Sequence, residues 1–217
     1  VEIVDNHTLE AYARRIVAKV ERFNKEYSAV TFTEPLPENI RPGHLIAADE
    51  PGPDVHISGC RMSGNRARGL LIGSRGRVII ENNYFHIAGA SILFEGDGNF
   101  WFEQSGVRDV TIRNNIFANG NYGSRGWGSA CIAVGSGISQ RQTSRYHRNI
   151  QDDGNLFRVF DPRIVNLYCV DGFQFSASNR IVRTSDYPAT FDPKLHFVFD
   201  QCDHIEIPRQ IEMAEQR

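Results

Sequence analysis

The sequence predicts an all-β chain that winds into a right-handed parallel β-helix, a solenoid of stacked short strands. Three observations predict it: an apolar motif recurs, a second apolar strand follows each copy after a glycine-rich turn, and an asparagine recurs at one place in three copies. Units too short to bury their apolar face alone must stack on their neighbours. An antiparallel β-sandwich, the alternative, would need regular tight hairpins and does not explain a motif that recurs in register.

Four copies of the motif form the first strands of the coil. Each copy reads apolar, any residue, apolar, then polar or small residues, then apolar again, which makes Val55, Val78 and Val110 equivalent. The spacing between copies suits solenoid repeats that carry loop insertions. The copies cover 54–62, 77–85, 109–117 and 149–157.

A second apolar strand follows each copy, so the sequence predicts two short strands for each rung of the coil. Further rungs are predicted at 173–175 and 204–207. The second strands are predicted at 69–72, 91–94, 130–134, 163–167 and 196–199.

Asparagines occupy equivalent positions after the first strands, at Asn83, Asn115 and Asn155. Stacked rungs would align these side chains in a ladder, where each amide bonds the next one and satisfies the backbone of the turn. We therefore interpret the three asparagines as structural rather than catalytic.

The β-helix is predicted to span residues 53–207. An N-terminal region of β-hairpin and linker precedes it at 1–52, and a C-terminal tail, either frayed or a capping helix, follows at 208–217. Within the N-terminal region, alternating residues at 15–23 and 27–32 predict the two strands of the hairpin.

Two further features mark the N-terminal region. A helical turn is expected to open at Asn6 or Thr8, both of which are residues that cap helices. Several prolines between Pro35 and Pro53 indicate a linker-like passage into the coil. The chain begins at Val1 in strand-like sequence without an initiator methionine, so we expect it to be a piece of a longer protein.

Composition excludes several classes of function. The formal net charge is −2, without the clustered positive charge of a nucleic-acid surface. No apolar run approaches the ~20 residues of a membrane helix, so no membrane partner is expected. Neither the cysteines nor the histidines have the spacing of a metal site. All four cysteines are interpreted as buried free thiols, with disulfides, which the spacing does not demand, as the alternative. The cysteines are Cys60, Cys131, Cys169 and Cys202.

One loop combines acidic and aromatic residues. Glu95, Asp97 and Glu103 surround a run of three aromatic residues that includes Trp101. A tryptophan ring can cover the apolar face of a sugar while carboxylates hold its hydroxyls, and glycoside hydrolysis needs two carboxyl groups around the scissile bond. The alternative is that the acids are solvated loop charges and the aromatic residues belong to the core.

Two other loops are candidates for the same wall of the coil. Asn65, Arg66 and Arg68 come just before a strand, where the guanidinium groups can pair with a carboxylate or bond sugar hydroxyls. Tyr122 and Trp127 lie in a glycine-rich loop of a later rung. We expect all three loops to follow equivalent turns and to lie on one side of the solenoid. The alternatives are a surface salt bridge for the arginines and a loop folded on itself for the aromatic pair.

Several of these segments together resemble glycoside hydrolase family 110, the α-1,3-galactosidases that remove terminal α-linked galactose. The segments that carry the resemblance are 65–72, 78–85, 92–97, 100–103 and 109–117. The resemblance implies a parallel β-helix, an inverting mechanism, no metal or organic cofactor, dimers, and a secreted or periplasmic location. It also implies that the galactose pocket is lined by Arg66, Arg68, Glu95, Asp97, Trp101 and Glu103.

The sequence also departs from that family. Family enzymes are much longer and carry an acidic pair in earlier rungs that has no equivalent here, so this chain is expected to hold part of the active centre. The leading hypothesis is a glycosidase acting on a galactose-terminated glycan, with one of Glu95, Asp97 and Glu103 as general acid and another as base. The alternatives are a carbohydrate-binding β-helix without catalysis and a purely structural solenoid. A pectate-type lyase is disfavoured because no calcium-binding acidic cluster lies on a strand face.

Overall fold

The computed structural model describes residues 1–103, 105–188 and 196–215, and these residues form short strands with two 3₁₀ turns at Arg125–Trp127 and Arg141–Thr143. The N-terminal region contains β1 Glu2–Val4, β2 Ala11–Arg14, β3 Val17–Arg22, β4 Ser28–Phe32 and β5 Leu45–Ala47. The coil contains, in chain order, β6 Val55–Ser58, β7 Arg61–Ser63, β8 Leu70–Ile72, β9 Arg77–Glu81, β10 Tyr84–His86, β11 Ile92–Phe94, β12 Asp109–Arg113, β13 Ile116–Ala118, β14 Ile132–Val134, β15 His147–Asp153, β16 Leu156–Val159, β17 Arg163–Tyr168, β18 Val170–Phe175, β19 Arg180–Arg183, β20 His196–Asp200, β21 Asp203–Glu206 and β22 Met213–Glu215.

The coil has three parallel sheets, which confirms the parallel β-helix. Sheet 1 runs β21-β18-β15-β12-β9-β6, sheet 2 runs β22-β19-β16-β13-β10-β7, and sheet 3 runs β20-β17-β14-β11-β8. A complete rung therefore has three strands, and the expectation of two was wrong. The first strand of the motif is divided because Asn82 (φ 57°) and Asn114 (φ 55°) turn the backbone through the left-handed region between sheets 1 and 2.

The register confirms which positions of the motif are equivalent. Val78 pairs with Val55 on one side and Val110 on the other. Phe85 and Phe117 are partners in sheet 2, and their stacked rings have centroids 5.2 Å apart. Both phenylalanines are fully buried, so the inward apolar positions of successive rungs build one continuous core.

The asparagine ladder is also confirmed. Asn83 donates its side-chain and backbone N–H groups to Asn115 Oδ1 at 3.0 Å, and Asn115 makes the same two bonds to Asn155 Oδ1. Asn179, which the repeat did not include, continues the ladder by accepting the backbone N–H of Asn155. The Nδ2 of Asn115 also donates to the carbonyl oxygen of Ile80, so these buried amides satisfy the turn backbone.

The N-terminal region has two small antiparallel sheets. The predicted hairpin is confirmed, since β3 pairs with β4. β1 lies between β2 and β5, and its Glu2 pairs with Arg75, just before β9 of the coil, at 2.7 Å. The expected helical turn does not become a helix: the Leu9 N–H bonds the Asp5 carbonyl at 2.8 Å, but Leu9 then adopts φ 58° and strand β2 follows. A single turn forms because the left-handed residue stops its propagation.

Two further expectations are corrected. The segment after residue 207 is not simply a tail, because β22 pairs in parallel with β19 and adds a strand to sheet 2; residues 216–217 lie outside the described residues. All four cysteines are free, but only Cys131 and Cys169 are buried. Cys202 is half-buried, and Cys60 is exposed because it lies in the first rung, where no described rung packs over it. Among the described residues, no helix is long and apolar enough to cross a bilayer.

Candidate functional site

Glu95 and Arg68 meet on the outer side of sheet 3. Glu95 directly follows β11, and Arg68 lies just before β8, the neighbouring strand of that sheet. Arg68 Nη2 is 3.9 Å from Glu95 Oε2, and the Glu95 side chain is only 20% exposed. The arginine side chain thus runs along the strand direction to reach a carboxylate on the next rung.

Glycines flank Glu95 on both neighbouring rungs. The register of β11 with β8 and β14 places Gly73 and Gly135 at the positions equivalent to Glu95. A Cβ at Gly135 would lie 2.8 Å from Glu95 Oε2, so the carboxylate occupies space that a larger residue would take. We call Glu95, Arg68, these two glycines and the loop 95–103 the Glu95 site.

The electrostatics of the Glu95 site favour a protonated glutamic acid. Burial raises the pKa of Glu95 above its ordinary value, and the nearby Arg68 opposes that shift. The negative charges of Asp97 and Glu103 raise the pKa further, and the net direction is upward. A carboxyl group with a raised pKa, close to other carboxylates, is suited to donate a proton.

Asp97 has a different environment, because its carboxylate holds the loop. Oδ1 accepts the Asn99 N–H at 3.0 Å, and Oδ2 accepts those of Phe100, at 2.8 Å, and Trp101. Burial acts to raise the pKa of Asp97, but these backbone donors, together with the Phe102 N–H, bring it below its ordinary value. Asp97 is therefore an ionised group that shapes the loop, as Asx turns do.

Glu103 and the aromatic run form the rim of the loop. Asp97 and Glu103 make an isolated antiparallel bridge in which the Asp97 N–H donates to the Glu103 carbonyl at 3.3 Å. Phe100, Trp101 and Phe102 are 73%, 71% and 68% exposed, so the alternative that they belong to the core is wrong. Phe102 has φ 57°, a conformation uncommon for a bulky residue and found where surrounding structure or function requires it.

The three candidate residues of the loop 65–69 have different roles. Asn65 Nδ2 donates to the Arg68 carbonyl at 3.1 Å, so Asn65 shapes the turn that presents Arg68. The Arg66 guanidinium lies 5.7 Å from the centre of the Trp127 ring and does not reach the acidic loop in the described contacts. Of the two arginines, Arg68 is the one that contacts a candidate carboxylate.

Tyr122 and Trp127 lie at another corner of the coil. Loops 65–69 and 119–131 connect sheet 2 to sheet 3, whereas the acidic loop leaves sheet 3 for sheet 1. The expectation that all three loops follow equivalent turns was therefore wrong, because a rung has three corners rather than two. The Tyr122 ring stacks on the His86 ring, with centroids 5.0 Å apart, and its centroid lies 6.2 Å from that of Tyr187. Tyr122 thus packs with these two rings rather than with the carboxylates.

A buried polar network beneath the Glu95 site was not predicted. Ser136 follows Gly135; its Oγ lies 2.8 Å from His147 Nε2, and its carbonyl accepts the Tyr168 hydroxyl at 2.6 Å. Burial, with a smaller contribution from Arg108, lowers the pKa of His147 to about 3, so the ring is neutral and its Nδ1 accepts the Val107 N–H. The sequence could have located this network only through the alignment of Gly135 with Glu95 on neighbouring rungs. That alignment requires knowing where each rung begins and ends.

Among the residues that the structure describes, no group of three or more His, Cys, Asp or Glu side chains is arranged to hold a metal ion. The Glu95 site thus offers a proton donor, a guanidinium, a second glutamate and exposed aromatic faces. These groups match the chemistry of a sugar site, in which carboxyl groups act on the glycosidic bond and few polar side chains orient the hydroxyls.

Comparison with known proteins finds relatives along most of the chain. Residues 1–46 match the family model for the GLAA-B beta-barrel domain II. The chain is 38% identical to alpha-1,3-galactosidase A of Shewanella woodyi over 83% of this chain and 29% of that protein. It is 34% identical to alpha-1,3-galactosidase B of Bacteroides thetaiotaomicron over 94% of this chain and 33% of that protein. It is 29% identical to alpha-1,3-galactosidase B of Akkermansia muciniphila over 95% of this chain and 26% of that protein. The predicted resemblance is confirmed, and the chain spans about a third of the length of these relatives or less.

Proposed function

Because this chain is homologous to a part of the α-1,3-galactosidases, we propose that it belongs to a glycoside hydrolase that removes terminal α-1,3-linked galactose from glycans. The observation that carries the proposal is the Glu95 site, where a carboxyl group with a raised pKa lies 3.9 Å from Arg68 at the start of a loop with exposed aromatic side chains. Sugar recognition needs apolar faces and charged hydrogen-bonding groups together, and this site offers both.

Glu95 is the proposed general acid. A general acid must be protonated at the working pH, and the upward pKa shift of Glu95 increases the protonated fraction near neutrality. The glutamic acid then donates its proton to the glycosidic oxygen as the bond to the aglycone breaks. Arg68, beside Glu95, is placed to orient a galactose hydroxyl and to stabilise the carboxylate that remains after proton transfer.

Glu103 is the proposed base in an inverting reaction. Inversion requires a second carboxylate that activates water, with ~6.5–9.5 Å between the two carboxyl groups. Asp97, the other candidate, is less suited to this role because its oxygens already accept backbone N–H groups of the loop. Glu103 has the backbone position opposite Asp97 and acts electrostatically on Glu95, which supports the assignment.

Trp101 and its neighbours are proposed to contact the sugar ring. All three aromatic side chains project into solvent from a loop fixed by Asp97, so their faces are available to the apolar side of a pyranose. Asn65 supports this pocket indirectly through the turn before Arg68. Arg66, Tyr122 and Trp127 are assigned at most to more distant sugar residues of the glycan, since they lie at another corner of the coil.

A second candidate function is carbohydrate binding without catalysis. It is favoured by the exposed aromatic run and Arg68, which can hold a sugar without any bond being broken, in a chain that spans about a third of the length of its relatives. Dimerisation and a secreted or periplasmic location, both implied by the family resemblance, remain predictions.

Release of galactose from an α-1,3-galactoside tests the proposal. The variant Glu95→Gln keeps the size of the side chain but has no proton to donate, so we expect release to fall by roughly 100-fold or more. Glu206→Gln, an exposed glutamate on sheet 1, serves as the matched control and should leave the rate unchanged. Equal rates in wild type and Glu95→Gln would reject the proposed acid; galactoside binding with no release by wild type would favour the second candidate.

A further inference from the structure

Three arginines line up on successive rungs at the corner between sheets 3 and 1. Pairing of Asp109 with Arg77 places Arg108 one position from Arg75, and pairing of Val110 with Ile150 places Arg108 beside Arg148. The Arg148 N–H donates to the Val107 carbonyl at 2.9 Å, which fixes these two rungs against each other. Neighbouring strands lie ~4.8 Å apart, so the three side chains form a short arginine ladder along the coil.

The arginine ladder faces a cleft of about 470 Å³ between the coil and the N-terminal sheet. The cleft is closed on the far side by residues of β1, β2 and the segment after β5. Its charged lining residues are Glu2, Glu10, Arg14, Asp49, Glu50, Arg75, Arg108 and Arg148.

Most of these charges are paired with one another. Glu2 accepts from Arg75 at 2.7 Å and lies 3.6 Å from Arg14. Arg14 also lies 3.3 Å from Asp49. Glu10 is 3.7 Å from Arg148, which completes the pairs in the cleft and leaves Glu50 at its exposed rim.

Arg108 is the exception. In the described part of the chain its half-buried guanidinium has no hydrogen bond and no ion pair, while two other arginines flank it. Burial lowers the pKa of Arg108, and the positive charges of Arg148 and Arg75 lower it further, whereas the negative charge of Glu10 opposes the shift without reversing it. Arg75 adds a second unused donor, since its Nε is buried without a partner.

Guanidinium groups that are removed from water without acceptors carry a cost that an anion can relieve. The planar fork of arginine matches the oxygens of sulfate, phosphate and carboxylate groups. We propose that this cleft binds an oxyanion, with Arg108 as the central donor between Arg75 and Arg148. The proposal does not depend on the proposed hydrolase activity.

The oxyanion that binds this cleft could be a free inorganic ion or an acidic group carried by a glycan. Calorimetric titration of the whole chain with sodium sulfate and with sodium phosphate, at constant ionic strength, tests the first source. Titration with glucose 6-sulfate and glucuronic acid, with glucose as the uncharged control, tests the second, because these sugars lack the galactose configuration that the Glu95 site is proposed to bind. Binding of the inorganic ions alone assigns the site to free ions, and tighter binding of the acidic sugars assigns it to a glycan.

The variant Arg108→Gln is expected to bind each of these anions about tenfold more weakly or worse, because it loses a charge-assisted pair. Arg77→Gln is the matched control, since Arg77 is an exposed arginine beside Asp109 on the same rung as Arg75, and its binding should equal that of wild type. Should Arg108→Gln fail to fold, Arg108→Lys, which keeps the charge without the fork, must still weaken binding. The absence of saturable binding to wild type, or equal binding by wild type and the folded Arg108 variant, overturns the proposal.

Discussion

Glu95 and Gly135 occupy equivalent positions on neighbouring rungs, and a Cβ at position 135 would lie 2.8 Å from Glu95 Oε2. The position of the carboxylate therefore depends on a residue 40 positions away in the sequence that has no side chain. The next residue, Ser136, is fixed by two hydrogen bonds, between its hydroxyl and His147 and between its carbonyl and the Tyr168 hydroxyl. The backbone at Gly135 is therefore held in place by its neighbour. This relationship links the coil register to the proposed chemistry.

The substitution Gly135→Ala should displace the Glu95 side chain while the chain still folds, because the atoms it meets, Glu95 Oε2 and the two methyl carbons of Leu93, are the ends of flexible side chains. We expect galactoside hydrolysis to fall by about tenfold or more, since small displacements of catalytic groups have large effects. Gly137→Ala is the control, because its Cβ would meet Asp97 Oδ1 at an ordinary 3.4 Å. Equal losses in both variants would show that the effect is not specific to Glu95.

The variant Arg68→Gln should move the alkaline limb of the pH–rate profile to higher pH. Burial raises the pKa of Glu95 and Arg68 lowers it, so removal of Arg68 raises that pKa further. A general acid is active when protonated, and its activity is lost as the pH rises through its pKa. Carboxyl-carbon NMR titration of Glu95 measures the same shift directly. A pKa that stays constant or falls in Arg68→Gln would contradict the arrangement.

The variant Asp97→Asn should loosen the acidic loop without abolishing folding of the coil. One neutral amide oxygen replaces two carboxylate oxygens that accept the N–H groups of Asn99, Phe100 and Trp101, which weakens local stability by about 1–2 kcal/mol. Amide exchange at 99–101 should become faster, while exchange of the Ile112 amide in sheet 1 stays unchanged. Uniform acceleration across the coil would mean that Asp97 supports the whole fold rather than the loop.

The variant Asn115→Ala should destabilise the coil by about 2–4 kcal/mol. In a buried turn it removes the acceptor of the Asn83 backbone N–H and of one Asn83 side-chain N–H, and it removes the amide that donates to the Ile80 carbonyl. Denaturant unfolding measures the loss. Asn24→Ala, in the exposed hairpin loop, is the control for an asparagine that bonds only local backbone, and it should cost less. A smaller loss at Asn115 than at Asn24 would contradict a stabilising ladder.

The fold could be predicted from the sequence because the same pattern of apolar residues and asparagine recurs in successive rungs. Val78, Phe85 and Asn83 each have an equivalent on the next rung at the same offset, so one alignment predicted strands, core and ladder together. The third strand of each rung was missed because the motif runs through the corner at Asn82 and Asn114 without a change in composition.

The site was harder to predict because it depends on which corner each loop leaves. Glu95 and Arg68 do meet, since a long arginine side chain runs along the strand direction and reaches the neighbouring rung. Tyr122 does not meet them, although its loop follows a rung strand as the acidic loop does. The use of Asp97 as a loop residue depends on hydrogen bonds to backbone N–H groups, which no residue pattern specifies.

The most direct test of the account is a crystal structure of this chain with galactose bound. The account predicts the sugar between Arg68 and Glu95, with an aromatic side chain of the loop 95–103 against its apolar face and a ring hydroxyl within hydrogen-bond distance of the Arg68 guanidinium. Galactose bound at the corner near Tyr122 with an empty Glu95 site, or anywhere else on the coil, would contradict it.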